Sequence, residues 1–292
     1  MNKVRKAVIP VAGYGTRFLP YTKAVPKAML PIINKPAIQI IAEEVINSGI
    51  TDILFVVGYK KEIIEAHFSS SKELEKVLLE KAKTDFYNAI KYPETMANIS
   101  FVMQEQLNGT AKALEIAKDF VNNEPFAVLF GDDVMYNDGT PVIKQLIDVY
   151  DKTGKTVIGC KNVTRKEVTM YASIEYDYNE NNVYNAVKIT EKPKFEDVKS
   201  TLAPLGRYVV TPDVFEIFKT LKPGASGEYQ FTDALDIMAK NGNAKAVVFD
   251  GIRYDMGSRL GYLKANVEYG LRDDEIKDSF KKYLEDLLGK IN

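Results

Sequence analysis

The sequence is poor in side chains that several large protein classes require: its 292 residues include one cysteine, one histidine and no tryptophan. A single cysteine, Cys160, cannot form a disulfide within the chain, so a reducing cytoplasm is the expected location. The histidine, His67, lies in the charged stretch K-K-E-I-I-E-A-H-F and is expected to be a half-exposed helical residue. Nucleophilic catalysis by a Ser-His or Cys-His pair is therefore poorly supported.

The sequence also lacks long apolar stretches and an excess of charge of either sign. No apolar run approaches the length of a membrane span, and the stretch after Lys3, Arg5 and Lys6 is too short for a secretory signal and is broken by Pro10 and Gly13. Lysine and arginine total 39 against 40 aspartate and glutamate residues, and the basic residues are not grouped in blocks. Because a nucleic-acid surface needs a basic face, we expect neither a nucleic-acid nor a membrane partner.

Apolar residues alternate between strand and helix spacing through the first half of the chain. The pattern predicts strands at 5–11, 52–57, 99–103 and 125–130, and helices at 36–48, 60–68, 72–90 and 110–121. Strands that alternate with helices form a mostly parallel sheet covered on both faces, with ligands at the carboxyl ends of the strands. We therefore expect an α/β fold with a Rossmann-like, mixed but mostly parallel sheet flanked by helices.

The second half has more short β segments, at 156–162, 171–177, 183–190 and 204–210, which predict a small antiparallel lobe. Helices resume at 213–221, 229–240 and 258–270. A single domain over 1–292 is favoured, with a first half (1–150), the lobe (151–257) and C-terminal helices (258–292).

The last predicted helix, in the segment 273–288, has an apolar face. Its members are Ile276, Phe280, Tyr283, Leu284, Leu287 and Leu288. Such a stripe more often packs on its own domain than on a partner. A helix at the end of a chain is nevertheless the natural candidate for a contact in a homo-oligomer, a dimer or a tetramer.

The stretch 9–33 reads I-P-V-A-G-Y-G-T-R-F-L-P-Y-T-K-A-V-P-K-A-M-L-P-I-I and carries the strongest functional signal. An apolar strand runs into a loop with two glycines, Gly13 and Gly15, which let the backbone approach a ligand without a Cβ in the way. Cations follow at Arg17, Lys23 and Lys27. Bare backbone followed by fixed positive charge is typical of a site for phosphate groups.

Two better-known phosphate motifs are excluded. The dinucleotide fingerprint G-x-G-x-x-G would need a third glycine where Phe18 stands. A P-loop needs G-x-x-x-x-G-K-[ST] between strand and helix, whereas the Gly-Lys-Thr tripeptide at 154–156 has Val149 at the first glycine position and precedes a predicted strand. We interpret that tripeptide as a helix-to-strand turn.

The loop closely resembles that of the bacterial UTP–glucose-1-phosphate uridylyltransferases, within the sugar-nucleotide pyrophosphorylase family. That family has a loop of the form A-G-x-G-T-R-x-x-P-x-T-K, followed by P-K-E-M-L-P. The resemblance recurs at E-K-P (191–193), L-G-R-Y-V (205–209), G-E-Y-Q-F-T-D-A-L (227–235) and Y-D-M-G-S-R-L-G-Y (254–262). Collinear motifs are far more specific than one glycine-rich loop. The implied reaction converts UTP and α-D-glucose 1-phosphate to UDP-glucose and pyrophosphate.

Transfer of a nucleotidyl group needs alignment and positive charge around the phosphorus, because a sugar 1-phosphate is already an anion and attacks without a general base. Arg17 can grip phosphate oxygens with two parallel donors, and Lys27 can act as a point charge on the α-phosphate or on the leaving pyrophosphate. The resemblance gives the matching arginine and lysine the same catalytic roles.

A magnesium ion is expected where the apolar strand 126–130 runs into Gly131, Asp132 and Asp133, because adjacent carboxylates at a sheet edge suit a hard cation shared with phosphates. The resemblance assigns the metal to Asp132 and implies a second acidic position at Asp255. Asp133 is expected either to contribute to the nucleotide site or only to cap or turn the loop.

The resemblance also implies the remaining binding residues. For the nucleotide they are Ala12, Gly13, Gly15, Thr16, Gln104, Gly109 and Asp133, and for the sugar they are Ala172, Glu191, Lys192 and Gly206. The Gln104 amide has both a donor and an acceptor, which can pair with uracil O4 and N3–H. Because that amide can also flip, Gln104 alone does not exclude other bases.

The chain departs from the family pattern at three positions. Ala28 replaces the glutamate of P-K-E-M-L-P, Ala111 lies in G-T-A-K-A where the family has G-L-G-H-A, and Ala172 follows Tyr171 in place of a glycine. At Ala28 a carboxylate near the nucleotide is missing, and the two glycine-to-alanine changes add methyl groups that could narrow the base or sugar pocket. Two alternatives therefore stay open: the same fold acting on dTTP or another hexose 1-phosphate, and a weakly active or non-catalytic paralogue that binds sugar nucleotides.

Overall fold

The computed structural model describes residues 2–224 and 227–291. In chain order its strands are β1 (Lys6–Pro10), β2 (Pro31–Ile32), β3 (Lys35–Pro36), β4 (Asp52–Val57), β5 (Asn98–Met103), β6 (Phe126–Leu129), β7 (Asp133–Tyr136), β8 (Thr156–Asn162), β9 (Ala172–Glu180), β10 (Val183–Glu191), β11 (Leu202–Val210), β12 (Ala244–Val248) and β13 (Ile252–Asp255). Its helices are α1 (Ala37–Ile46), α2 (Lys61–His67), α3 (Lys72–Glu80), α4 (Thr84–Thr95), α5 (Thr110–Glu115), α6 (Lys118–Val121), α7 (Val142–Thr153), α8 (Arg165–Val168), α9 (Val214–Phe218), α10 (Phe231–Lys240), α11 (Arg259–Gly270) and α12 (Lys277–Ile291).

A nine-stranded sheet runs through the molecule in the order β5–β4–β1–β6–β11–β8–β12–β10–β9. The first four strands are mutually parallel, β11 is antiparallel to both β6 and β8, and β8 is parallel to β12. Antiparallel pairs β12–β10 and β10–β9 complete the far edge. Two small antiparallel pairs, β2–β3 and β7–β13, lie outside this sheet. The predicted mixed α/β architecture is confirmed, and the strands of the second half extend the central sheet.

Helices cover both faces of the sheet. Strand β1 is a continuous apolar run because it is buried on both sides: Ala7 and Ile9 belong to one core cluster and Val8 to the other. The first cluster includes Ile41 of α1 and residues of α7, and the second includes Leu114 of α5 and residues of α9 and α10. Loops at the carboxyl ends of the parallel strands are therefore where this architecture presents ligand-binding groups.

Two predicted helices are each divided in two. The segment 72–90 belongs to α3 and α4, which are separated at Ala82, a residue with left-handed backbone (φ 51°). The segment 110–121 forms α5 and α6. The tripeptide 154–156 is the predicted helix-to-strand turn, because Gly154 is left-handed (φ 65°) and ends α7, and β8 begins two residues later at Thr156.

The two rarest titratable side chains have structural roles. His67, at the end of α2, is half-buried with its Nε2 2.9 Å from Oε1 of Gln39 on α1, and burial lowers its pKa. Cys160 is fully buried in β8, and burial raises the pKa of its thiol. Both side chains are therefore uncharged near neutral pH.

The terminal helix α12 packs on the domain through part of its apolar face. A Cβ placed on Gly270 of α11 would lie only 2.9 Å from the ring of Phe280, so this ring sits directly on that glycine. Tyr283 and Leu288 are mostly exposed. Of the helices in the described ranges, none is both long and apolar enough to cross a membrane.

A buried ion pair joins α1 to β11 beneath the edge where the parallel strands end. Arg207 is fully buried and its Nη2 donates to Oε2 of Glu44 at 2.7 Å, while its Nε lies 3.1 and 3.0 Å from the two carboxylate oxygens. The same carboxylate accepts from the backbone N–H of Ile143 at the start of α7 (3.0 Å). Arg207 also donates to the backbone oxygens of Asp133 (2.7 Å) and Gly206 (3.1 Å). One ion pair thus connects helices α1 and α7, the central strand β11 and the first residue of β7.

We expect Arg207→Met to lower the free energy of unfolding by about 3–5 kcal/mol, because it leaves the Glu44 carboxylate buried without its cation. Adding Glu44→Gln removes that charge and keeps an amide oxygen for the Ile143 N–H, so the double variant should recover part of the loss. Urea unfolding followed by circular dichroism measures both. Arg5→Met, at an exposed arginine, is the matched control. A single variant as stable as this control, or a double variant less stable than the single one, would contradict the assigned role.

Candidate active site

Two pockets adjoin at the carboxyl ends of β1 and β6. The first has a volume of about 580 Å³, and its lining includes the predicted residues Ala12, Gly13, Lys27, Gln104, Gly109 and Asp132. The second has a volume of about 970 Å³, and its lining includes the predicted residues Arg17, Asp132, Asp133, Ala172, Glu191, Lys192, Gly206 and Asp255. Asp132 lines both pockets, so it marks their junction.

A close backbone contact joins the ends of β1 and β4 at Ala12, which lines the first pocket. A Cβ on Gly58, which follows β4, would lie 2.7 Å from the carbonyl oxygen of Ala12, so the two chain segments meet without side chains between them. Gln104 follows β5 and is almost fully buried, with one amide N–H donating to the backbone oxygen of Gln106 (3.0 Å). The ends of β1, β4 and β5 therefore bring Ala12 and Gln104 to the same pocket.

Gly15 shapes the loop that carries the cations. Its backbone is left-handed (φ 64°), and a Cβ there would lie 2.8 Å from the Cβ of Lys27. The Thr22 hydroxyl donates to the carbonyl oxygen of Gly15 (2.9 Å), which folds the loop back on itself. Gly15 and Thr16, both predicted for the nucleotide, lie in this loop and are not among the residues that line either of the two pockets. The glycine contributes by letting Lys27 reach the junction.

Opposite charges meet at the junction of the pockets. Lys27 Nζ lies 2.7 Å from Oδ2 of Asp132. Although burial opposes ionisation, the Lys27 ammonium holds the pKa of Asp132 below its usual range. Arg17 Nη1 donates to the carbonyl oxygen of Gly257 (3.3 Å). A Cβ on that glycine would lie 2.8 Å from Asp255 Oδ1, 3.3 Å from Arg17 Nη1 and 3.4 Å from Asp132 Oδ2, so all three side chains converge there.

The donor set at this junction fits a magnesium ion that shares its coordination with a ligand. Asp132 follows β6 and Asp255 ends β13, and their carboxylates approach the same point. Within the described ranges, no group of three or more His, Cys, Asp or Glu side chains is arranged to hold a metal. Magnesium at phosphate sites usually takes one or two protein carboxylates and fills its remaining positions with water and phosphate oxygens.

Asp133, predicted either for the nucleotide site or for the turn alone, lines the second pocket and is not among the residues that line the first. Its carboxylate lines the second pocket and accepts from Arg253 Nε at 2.6 Å. It also lies directly beneath Gly206, since a Cβ on that glycine would be 2.3 Å from Asp133 Oδ2. Arg253 in turn donates to the hydroxyl of Tyr171 (3.0 Å). Asp133 therefore supports the floor of the second pocket.

Glu191 and Lys192 lie together on one wall of the second pocket. Their side chains are 3.7 Å apart (Nζ to Oε1), and the Thr232 hydroxyl donates to the other Glu191 oxygen at 2.8 Å. Burial raises the pKa of Glu191. Ala172 pairs with Glu191 in the β9–β10 register, and the Lys192 N–H donates to the carbonyl oxygen of Tyr171 (2.7 Å). This wall thus offers a carboxylate and a cation side by side.

Several lining residues were not predicted from the sequence. Tyr171 and Thr232 stand within or beside motifs that already carried a signal, and Arg253 directly precedes one. The partner of Arg253 is 120 positions away, so only the fold reveals that contact. Of the three departures, Ala28 lines the first pocket, Ala172 lines the second, and Ala111 is buried in α5.

The sequence of this chain matches the profile of nucleotidyl transferases over residues 6–272. The chain belongs to the nucleotidyl transferase family. The matched range contains both pockets and every residue predicted for the site. Two curated relatives, the UTP–glucose-1-phosphate uridylyltransferases of Staphylococcus epidermidis and Staphylococcus haemolyticus, are 46% and 45% identical over 287 residues, which is 98% of this chain and 99% of each relative. The resemblance seen in the motifs is thereby confirmed.

Solved structures of the nucleotidyl transferase family agree with the fold. A UDP-glucose pyrophosphorylase in complex with UDP-glucose aligns with a TM-score of 0.84 and 38% identity, over 92% of this chain and 100% of that chain. A UTP-bound UGPase from Acinetobacter baumannii aligns with a TM-score of 0.89 and 31% identity, over 97% of this chain and 99% of that chain. The fold described above is therefore that of UDP-glucose pyrophosphorylases.

We expect Gly206→Ala to destabilise this nucleotidyl transferase more than Gly242→Ala does. Both glycines are left-handed (φ 68° and 71°), so each alanine incurs about 1–2 kcal/mol of backbone strain. At Gly242 the space around a Cβ is open, whereas at Gly206 the methyl group collides with the Asp133 carboxylate. Chemical unfolding of the two variants measures the difference. Equal losses of stability would show that contact between Asp133 and Gly206 does not constrain this part of β11.

Proposed function

We propose that this nucleotidyl transferase converts UTP and α-D-glucose 1-phosphate to UDP-glucose and pyrophosphate. The observation that carries the proposal is the junction of the two pockets, where Asp132 lines both and faces Lys27, Arg17 and Asp255. Relatives named as UTP–glucose-1-phosphate uridylyltransferases match nearly the whole chain. Related structures hold UDP-glucose and UTP, which is consistent with one pocket for each half of the product.

The chemistry requires an in-line displacement at the α-phosphorus of UTP. A phosphate oxygen of glucose 1-phosphate forms the new P–O bond, the bond to the bridging oxygen breaks, and pyrophosphate leaves. Because the attacking phosphate is an anion, alignment and charge stabilisation are sufficient. Arg17 and Lys27 supply cations on the loop between the two pockets, where negative charge accumulates during the transfer. A histidine base is not needed, in keeping with the position of His67 at the end of α2.

Asp132 and Asp255 are the residues that would hold a magnesium ion. Such an ion, when bound, neutralises phosphate charge and helps to fix the triphosphate for displacement. Lys27 neutralises Asp132 in the described structure, so the junction already balances carboxylate against ammonium. The pair keeps Asp132 ionised, which is the form that a metal requires.

The base and the hexose would bind in different pockets. We assign the base to the first pocket, beside Ala12, Gly13 and the Gln104 amide. The hexose would contact Glu191 and Lys192 in the second pocket, where a carboxylate can accept from neighbouring hydroxyl groups.

A substrate panel with pyrophosphate release as the readout tests this function. UTP with glucose 1-phosphate and magnesium should give the highest kcat/KM among combinations with dTTP, ATP, CTP, GTP and other hexose 1-phosphates. Chelation by EDTA should abolish release, and added magnesium should restore it. A higher kcat/KM with dTTP or another hexose 1-phosphate would reassign the substrates. Tight UDP-glucose binding without any pyrophosphate release would instead identify a binding protein.

Lys27→Ala should lower kcat by about 100-fold, because it removes a cation that acts mainly in the transition state. The measurement is steady-state pyrophosphate release at saturating UTP and glucose 1-phosphate, with circular dichroism to verify the fold. Lys72→Ala, at an exposed lysine on α3, is the matched control and should keep wild-type turnover. Wild-type turnover in Lys27→Ala would refute the assigned role.

Quaternary structure and location stay predictions. We propose that a homo-oligomer, a dimer or a tetramer, forms through the exposed apolar residues of α12, among them Tyr283 and Leu288. Analytical ultracentrifugation of the wild type and of Leu288→Glu tests this, and a monomeric wild type would refute it. A cytoplasmic location is expected from the single cysteine.

A further inference from the structure

A single segment, 228–232, crosses from one pocket to the other. Glu228 lines the first pocket, whereas Gln230, Phe231 and Thr232 line the second. Thr110, at the start of α5, lines both pockets. The segment and Thr110 therefore form a wall that a nucleotide and a sugar phosphate would share.

Backbone contacts fasten this segment to the loop that follows Gln104. The Tyr229 N–H donates to the carbonyl oxygen of Asn108 (2.9 Å), and the Ala111 N–H donates to that of Tyr229 (3.0 Å). Gly109 lies between these two bonds with φ 119°, and a Cβ there would be 2.2 Å from the Tyr229 carbonyl oxygen. The approach is so close that only glycine fits. The two segments must therefore move together.

Thr110 connects the same loop to the start of α10, the helix that brings Phe231 and Thr232 to the second pocket. Its hydroxyl oxygen accepts from the backbone N–H of Phe231 at 2.9 Å and lies 3.3 Å from Gln230 Oε1, to which it donates. Phe231 is the first residue of α10, so this N–H has no acceptor within its own helix. The related pattern G-L-G-H-A places a leucine at this position, and a leucine cannot accept this bond.

Thr232, the next residue of α10, connects the helix to Glu191, the carboxylate that is proposed to bind the sugar. The Thr232 hydroxyl donates to Glu191 Oε2 (2.8 Å). Two neighbouring charges also act on Glu191: Lys192 lowers its pKa and Asp233 raises it. The hydrogen bond from Thr232 therefore selects the rotamer of a half-buried carboxylate between opposing charges.

We propose that Thr110 is a positioning residue that couples the two half-sites, so that a nucleotide in the first pocket orients Glu191 for the sugar phosphate through Phe231 and Thr232. The inference rests on the proposed function for the identity of the two ligands. A nucleotide that orders the loop around Gly109 holds Thr110 in place, which fixes the first turn of α10. Glucose 1-phosphate then binds to a carboxylate that is already oriented, and its affinity rises.

Binding measurements on Thr110→Val, which keeps the shape and loses the hydroxyl, test the coupling. The probes are glucose 1-phosphate and an unreactive UTP analogue with a methylene bridge between the α- and β-phosphates, with magnesium present. In the wild type the analogue should lower the Kd of glucose 1-phosphate. The quantity compared between variants is the ratio of this Kd without the analogue to the Kd with it. Thr110→Val should reduce that ratio by about 2- to 12-fold, the value of one neutral hydrogen bond. The Kd of the analogue alone should change less.

Two further variants separate coupling from general damage to the fold. Thr110→Ser restores the hydroxyl and should recover most of the wild-type ratio. Thr95→Val removes an exposed threonine hydroxyl that bonds to the Lys91 carbonyl in α4, and should leave the ratio unchanged. A ratio in Thr110→Val equal to that of the wild type, or no recovery in Thr110→Ser, would overturn the proposal.

Hydrogen exchange in the ligand-free protein tests the same link without any substrate. Thr110→Val should speed exchange of the Phe231 amide and leave peptides of α12 unchanged. If the UTP analogue fails to bind the wild type, the proposed function fails, and this measurement still decides the role of Thr110. Unchanged exchange at Phe231 would refute the link whatever the substrates are.

Discussion

The buried ion pair between Glu44 and Arg207 is the contact on which the rest of the site depends. Arg207 donates to the backbone of the turn that presents Asp132 and to the backbone of Gly206, while Glu44 accepts from the first turn of α7. Buried charges are stable only when they are paired and their remaining donors and acceptors are satisfied. The pair therefore determines where the junction of the two pockets lies, although neither residue is among those that line those pockets in the described chain.

Charge balance at that junction is what the proposed nucleotidyl transfer would use in place of a histidine. Lys27 and Arg17 face Asp132 and Asp255 across a few ångströms, so cations and carboxylates are present before any ligand arrives. Gly15 allows Lys27 to approach, and Gly257 leaves space between the carboxylates. Preorganised charge of this kind needs no reorganisation during the reaction, which is the main source of rate enhancement in such transfers.

Much of the fold and of the candidate site could be predicted from the sequence, because apolar periodicity and glycine position are local signals. The strands that build the first pocket follow from alternation, and the edge where ligands bind follows from the rule for parallel sheets. The individual residues at the strand ends follow from the resemblance to the sugar-nucleotide pyrophosphorylases. The pairing of Asp133 with Arg253 does not follow, since the two residues are 120 positions apart. Which of two adjacent aspartates faces the junction depends on the conformation of one turn. That conformation is fixed by Arg207, which contacts the turn from a distant strand.

Strand β11 runs antiparallel between β6 and β8, and its register shifts between Pro204 and Tyr208. Gly206 lies within this irregularity, and its carbonyl oxygen accepts from the Phe130 N–H (3.0 Å). The floor of the second pocket is consequently part of the sheet, whereas loops form much of the lining of the first pocket. A sheet cannot recede to admit a different sugar without breaking strand pairing. Under the proposed assignment of the base to the first pocket and the hexose to the second, a new base can be accommodated by loop exchange, whereas a new hexose must be accommodated at the rim of its pocket.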